Sequence, residues 1–242
     1  MPIFWLSEHS NDFPNPELSN RNGMLAAGGD LSPERLLIAY QSGIFPWYNP
    51  EDYILWWSPD PRFVLFPSDL KMAKSMRPFF NQAKFRVSFD GHFERVMRLC
   101  GKTQRKGQHL GTWISEEMIE GYTALHALGY AHSVEVWQEE ELVGGLYGIA
   151  LGKCFFGESM FTQVSNASKF GFITLVRRLE ELGYQLIDCQ QQTGHLATLG
   201  AGAISRKKFL KFLWENRANP THRGSWARIM EEEPPSVTVS FG

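Results

Sequence analysis

At 242 residues the chain can hold one large domain or two modest ones of about 100–200 residues each, with a sizeable core. A hydrophobic share of 43% and a charged share of 21% are those of an ordinary globular protein and exclude collagen-like repeats, a coiled coil and long disorder. Its 24 lysines and arginines nearly balance 26 aspartates and glutamates, for a net charge of −2, so a nucleic acid would have to use a local basic patch.

The first sixty residues are dense in turn signals: NPEL, RNG, GGD, NPED and SPDPR. Between them one helix is predicted, with Ser32 as cap, Pro33 in the first turn, Leu36, Leu37 and Tyr40 as its apolar stripe and Gly43 at its end. A domain boundary is placed near Arg62, giving a small N-terminal domain over 1–62 and a second domain over 63–242. Beyond it the pattern is mixed α and β. FRVSF at 85–89 reads as a strand, and Phe93, Val96, Met97 and Cys100 recur at helical spacing. After the basic loop GKTQRKGQHLG, Ser115 opens a helix carrying Met118, Tyr122 and Leu125 on one side, closed by Gly129. Strands are predicted over 131–138, 142–151 and 154–161, joined by hairpin connections. A long helix over 166–182, a short strand over 184–188 and a last helix capped by Ser205 follow, and EEEPPSVTVSFG reads as a loosely held tail.

Cys100, Cys154 and Cys189 stand far apart with no CxxC pair, which disfavours a disulfide framework or a zinc knuckle. The N-terminus lacks a basic n-region, and the longest uncharged apolar stretch, 142–151, is far short of the ~20 residues that span a bilayer, so a cytosolic location is expected. Eight tryptophans, three of them at Trp47, Trp56 and Trp57, either pack a core or offer a stacking surface to a flat ligand.

The order helix, antiparallel strands, long helix, strand is that of N-acyltransferases of the GNAT type, so the expected class is α+β, a GNAT-like mixed sheet. The acetyl-CoA members cradle a pyrophosphate on a glycine-rich loop before the long helix, whereas the same slot here reads FTQVSNASK. A CoA cofactor is therefore disfavoured. In LIDCQQQTGH, strand geometry puts Asp188 and Gln190 on one face and Cys189 on the other. A carboxylate beside a carboxamide can orient an attacking amine and manage its proton, or the two can form a hydrogen-bond cluster without catalytic role. In FFGESMF strict alternation separates Phe155 from Met160, so a pocket using both needs a bulge. Glu158, among apolar neighbours, is either a satisfied buried acid or a site residue. Phe172, Leu175 and Leu179 share a helix face that is core unless a cavity lies beside it. The basic stretches are Lys71, Lys74, Arg77, Lys84 and Arg86, and Lys102, Arg105 and Lys106. No histidine spacing suggests zinc, and GxSxG and Walker motifs are absent.

NGMLAAGGDLSPERLLIAYQSGIFPWY, LWWSPDPR, GTWI, HSVEVW, ELVGGLYG, FGESMF, NASK and LIDCQ, in that order along most of the chain, closely resemble the leucyl/phenylalanyl-tRNA–protein transferase family. The resemblance implies a bacterial cytoplasmic aminoacyltransferase of the N-degron pathway that moves Leu or Phe, and less readily Met, from aminoacyl-tRNA to a protein's N-terminal Arg or Lys, marking it for degradation. It also implies a small N-terminal domain before a GNAT-like one, with no metal and no CoA; no cofactor of any kind, no membrane partner and a monomeric state are expected. By the same resemblance Asp188 and Gln190 are the catalytic pair, with Glu158 beside them facing the reacting amine or ribose. Leu146, Phe155, Met160, Phe172, Leu175, Leu179 and Ile187 hold the donor side chain, and Trp47 and Trp113 lie near the terminal adenosine. The family's tRNA-contacting basic run lies after the first domain, where SMRPFFNQAKF places Pro78, Asn81 and Gln82 instead of more charge, so the expected tRNA patch is Lys71, Lys74, Arg77, Lys84 and Arg86, or one shared with Lys102 to Lys106. Two other readings remain on residue grounds: a CoA-dependent N-acetyltransferase, and an aromatic-rich module that binds Arg- or Lys-initiated peptides without turnover.

Overall fold

The structure, a computed structural model, describes residues 3–102 and 114–231. The turn-dense N-terminal part contains β1 (Phe4–Leu6), β2 (Met24–Gly28), α1 (Pro33–Gln41), β3 (Phe45–Pro46) and β4 (Leu55–Trp57). These strands form a sheet in the order β1-β2-β4-β3, with β1 parallel to β2 and the other pairs antiparallel. The predicted start of α1 is found: the Ser32 hydroxyl accepts the Arg35 N–H, and Pro33 opens the helix. Gly43, just beyond it, has φ +72°, and a Cβ there would come within 2.8 Å of Leu210. Both the left-handed backbone and the close approach require glycine.

From Arg62 the chain runs through β5 (Arg62–Leu65), α2 (Arg77–Asn81), β6 (Arg86–Phe89), α3 (Phe93–Lys102), α4 (Glu116–Ala127), β7 (Ala131–Gln138), β8 (Glu141–Leu151) and β9 (Cys154–Thr162). It continues through α5 (Ala167–Glu181), β10 (Leu186–Asp188), α6 (Gly194–Thr198), β11 (Gly202–Ile204), α7 (Arg206–Asn216) and α8 (Trp226–Glu231). The second sheet has the order β11-β5-β10-β9-β8-β7-β6; β10 runs parallel to β9 and the other pairs are antiparallel. The α+β class and the mixed sheet are as expected, and the predicted order survives in α4-β7-β8-β9-α5-β10. The helix expected over 166–182 is α5, flanked by Asn166 and Leu182, and the strand expected from Tyr184 begins at Leu186.

The large sheet separates two apolar cores. Phe93, Met97, Tyr122, Leu125, Tyr147 and Phe156 belong to one, and Val134, Leu146, Phe155, Phe172, Leu175 and Ile187 to the other. The sequence neighbours Leu146 and Tyr147, and Phe155 and Phe156, are thus divided between the cores, as a strand covered on both faces requires. Each such side chain contributes about 1.5–3 kcal/mol on burial. The C-terminal helix α8 is tied to this frame through Asp90, whose carboxylate accepts the Trp226 N–H at 2.7 Å and contacts His132 Nδ1 at 3.0 Å. The Trp226 ring stacks on His132 with centroids 3.8 Å apart.

Candidate active site

The site lies where β9 and β10 part. Their parallel pairing runs from Leu186–Cys154 to Asp188–Phe156 and stops there. On the other side of β9 the register with β8 slips: Gly148 faces Gly157, but Tyr147 faces Ser159. Glu158 is therefore the extra residue of a β-bulge. The bulge is what a pocket using both Phe155 and Met160 needs, and both now line one cavity of about 330 Å³. Gly148 permits this arrangement, since a Cβ there would stand 2.5 Å from the Phe155 ring and 2.2 Å from the Phe156 carbonyl.

The apolar wall is made by Leu146, Phe155, Met160, Phe172 and Ile187, joined by Phe45, Pro46 and Leu196. Leu175 and Leu179, expected with Phe172 on the same helix face, do not line the cavity. Both are fully buried in the adjoining core, because α5 turns that face into the sheet one and two turns beyond Phe172. Trp47 does line it. Its position is fixed from Trp57, whose indole N–H donates to the Trp47 carbonyl at 2.6 Å and whose ring lies 5.6 Å away. Trp113 falls outside the described residues, as do Arg105 and Lys106.

At the polar end stands Glu158. One carboxylate oxygen accepts the Tyr40 hydroxyl at 2.7 Å and the Gln190 carboxamide N–H at 2.7 Å, and the other accepts the Tyr122 hydroxyl at 3.2 Å. Tyr40 and Tyr122 are also hydrogen-bonded to each other. Burial pushes the Glu158 carboxyl up to about 7, aided by the Asp188 charge and opposed by the hydrogen bonds from Tyr40, Tyr122 and Gln190. Both phenols are held well above their ordinary range, chiefly by burial and then by the Glu158 charge. They therefore act as hydrogen-bond donors at neutral pH.

Asp188 is more deeply set. It is fully buried, and both carboxylate oxygens are taken by Arg62, Nε to Oδ1 at 2.8 Å and Nη2 to Oδ2 at 2.6 Å. The Arg62 guanidinium lies between the rings of Phe45 and Phe209, 4.7 and 4.6 Å from their centroids, and Nη1 donates to the Gly43 carbonyl at 3.3 Å. Asp188 Oδ1 also accepts the Gln190 N–H at 2.9 Å. Asp188 and Gln190 thus meet, but not by sharing a strand face. The strand ends at Asp188, and Gln190 takes φ +60° in a turn closed by that bond. For the same reason Cys189 lines the cavity instead of pointing away from it. Burial raises its thiol far above the ordinary range, so it stays protonated.

Arg62 and the phenols of Tyr40 and Tyr122 complete the cluster of Asp188, Gln190 and Glu158, and the sequence alone points to neither Arg62 nor the two tyrosines as site residues. Tyr40 counted only as a member of an apolar stripe, and Arg62 only as the end of a turn-rich segment. Thr193 and His195 also line the cavity, Thr193 as the cap of α6, and burial lowers the His195 imidazole, helped by the Lys169 charge. The cations Lys71, Lys74, Arg77, Lys84 and Arg86 lie exposed on and around α2 and β6, outside the cavity. Lys84 lies over the Phe79 ring at 5.2 Å and Arg86 over Trp137 at 5.3 Å. No helix among the described residues is long and apolar enough to cross a membrane.

Residues 64–214 match the model of the leucyl/phenylalanyl-tRNA protein transferase family, and residues 29–60 that of its N-terminal domain. A leucyl/phenylalanyl-tRNA–protein transferase of Cellvibrio japonicus is 57% identical over 213 residues, covering 87% of this chain and 90% of that one. One of Myxococcus xanthus is 51% identical over 235 residues, covering 97% of this chain and 100% of the other. Among solved structures, a GCN5-related N-acetyltransferase from Kribbella flavida is 11% identical, with a TM-score of 0.37 over 70% of this chain and 60% of that one.

Proposed function

Because this chain belongs to the leucyl/phenylalanyl-tRNA protein transferase family, we propose that it moves Leu or Phe, and less readily Met, from aminoacyl-tRNA to the N-terminal Arg or Lys of a protein. The product would be a cytosolic protein marked for N-degron-dependent degradation. The observation that carries the chemical part of this reading is the cavity itself: a small apolar pocket with a carboxylate and a carboxamide at one end. Its volume is near the lower end of the about 300–1,000 Å³ typical of ligand pockets. A wall without charges admits Leu, Phe and Met with only modest preference among them, since sharp discrimination needs polar contacts that this wall lacks.

The reaction asks for alignment more than activation. An aminoacyl ester is already activated, so the acceptor's α-amine need only be held against the ester carbonyl carbon. The new C–N bond forms, the C–O bond to the ribose breaks, the ribose oxygen gains a proton and the amine nitrogen loses one. Asp188 is a poor acceptor for that proton, because Arg62 and the Gln190 N–H already occupy its oxygens. Glu158 suits the task better: it is half-buried, lines the cavity and titrates near 7. In this scheme Gln190 spends its amide N–H on Glu158, which leaves its amide oxygen as the end that can meet the incoming amine. Asp188 holds Gln190 in its turn, Trp47 offers a ring to the terminal adenosine, and Lys71, Lys74, Arg77, Lys84 and Arg86 meet the tRNA backbone. The small N-terminal domain ends, on this reading, at Arg62.

The test is transfer of labelled Leu from Leu-tRNA to a peptide beginning with Arg, beside the same peptide with that Arg acetylated. Label on the free-amine peptide alone is the expected result. No label on either, with folded protein and intact Leu-tRNA, would refute the proposal.

A further inference from the structure

The basic stretch around α2 is one of several concentrations of positive charge in the chain. Between Ser205 and Arg217 five cations, Arg206, Lys207, Lys208, Lys211 and Arg217, stand with one carboxylate, Glu215, in a protein whose net charge is −2. The helix α7 sorts them by face. Phe209 and Leu213 are buried, whereas Lys207, Lys208, Lys211, Trp214 and Arg217 are exposed. Lys207, Lys211 and Trp214, at i, i+4 and i+7, make one stripe along the helix. Trp214 is 70% exposed and carries Arg217 against its ring at 4.9 Å. Glu215 reaches Lys211 only at 3.8 Å between exposed side chains, which neutralises little.

We infer that this stripe of α7 is a second RNA-binding surface, on which tRNA phosphates meet Lys207 and Lys211 and a base or sugar packs on Trp214. The inference rests on the reading of the chain as a tRNA-dependent transferase. Lysines spaced along a groove-free helix face suit a backbone with regularly spaced charges, and an exposed ring flanked by a guanidinium suits stacking. Position supports it as well. Phe209 of α7 packs on Arg62, and Arg62 holds Asp188 at the cavity, so the outer face of α7 is separated from Asp188 by the Arg62 guanidinium, the Phe209 ring and one helix diameter of about 10–12 Å. That separation is short against the length of a tRNA acceptor arm, so a polynucleotide with its 3′ end in the cavity is long enough to reach that face. A membrane surface is the other polyanion to consider, but the apolar side of α7 is spent on the core, leaving Trp214 as its one large hydrophobic side chain exposed.

The experiment measures binding of Leu-tRNA to the full chain across a salt series, for the native protein, Lys207→Ala/Lys211→Ala and Trp214→Ala. In parallel, Leu transfer is followed from a short donor, Leu esterified to adenosine, to an Arg-initiated peptide. Expected are tRNA affinity lowered by about tenfold in either variant, a log–log salt slope shallower by about one to two in the double lysine variant, and unchanged short-donor transfer. Glu215→Gln should tighten tRNA binding. Unchanged affinity and slope in both variants overturn the inference, as does a loss of binding to anionic vesicles with tRNA binding intact. Absence of short-donor transfer by the native chain would instead count against the transferase reading, and the binding series would still decide whether α7 holds RNA.

Discussion

Arg62 takes both carboxylate oxygens of Asp188, at 2.8 and 2.6 Å, in a place where neither side chain is more than 1% exposed. Two desolvated charges in this geometry hold each other, and neither tolerates the loss of its partner. Removing one leaves the other buried and uncompensated, at about 3–5 kcal/mol. Arg62→Met and Asp188→Leu should each lower unfolding stability by that amount, as read from denaturant midpoints. The double variant should recover much of the loss, because an apolar pair of similar volume can replace a buried ion pair, yet it should not recover transfer. Recovery of both would show that the pair is structural only.

The bulged carboxyl makes a pH prediction. Glu158 is raised from its ordinary 4.5 to about 7, so in the folded protein it is half protonated near neutrality. If its carboxylate accepts the amine proton, kcat/KM rises with pH through about 7, and Glu158→Gln flattens that limb and lowers kcat by roughly a hundredfold. The stability sign is opposite. The folded state binds this proton more tightly than the unfolded one, so the contribution is full below about pH 4.5 and is lost as pH rises through about 7. Glu158→Gln should therefore be less sensitive to pH in that window. A transfer profile with the same midpoint in Glu158→Gln would sink the assignment.

Tyr40 tunes that midpoint. Its hydroxyl donates to Glu158 at 2.7 Å, and a hydrogen bond to the carboxylate favours the charged form. Tyr40→Phe should move the limb to higher pH, with little change in the plateau rate measured above it. A shift to lower pH would mean that the phenol acts on Glu158 in some other way.

The basic stretch has its own test. Lys74→Ala/Arg77→Ala should weaken tRNA binding and flatten its salt dependence by about two in log–log slope, because each phosphate contact releases counterions. An unchanged slope would leave these residues as a solvated face.

How far these features were legible follows from their range along the chain. The long elements announce themselves locally: the repeats of α3, α5 and β7–β9 need only a window of ten residues or so. The short strands β3, β5 and β11 hold two to four residues each, and pairing with distant partners makes them strands. The bulge at Glu158 is a tertiary event of this kind. FFGESMF states the problem, that Phe155 and Met160 alternate, but its solution depends on the register of β8 and on the space at Gly148. Arg62 and Asp188 are separated by 126 positions, and nothing near either announces the other. Tyr40 and Tyr122 likewise stand 82 positions apart on helices whose apolar periodicity explains them without reference to Glu158.

The α5 face offers a way to tell cavity wall from core. Phe172 lines the cavity, whereas Leu179, two turns on, is fully buried away from it. Phe172→Ala should enlarge the space for the donor side chain and shift the ratio of Phe to Leu transfer by about tenfold in favour of Phe, the scale expected for an apolar pocket changed by a few methylenes. Leu179→Ala should cost about 2–5 kcal/mol of stability through the void it leaves, with the ratio unchanged in the fraction that remains folded. Competition assays with mixed Leu- and Phe-tRNA, run beside unfolding curves, separate the two effects. A shifted ratio in Leu179→Ala with none in Phe172→Ala would move the pocket along the helix and return Phe172 to the core.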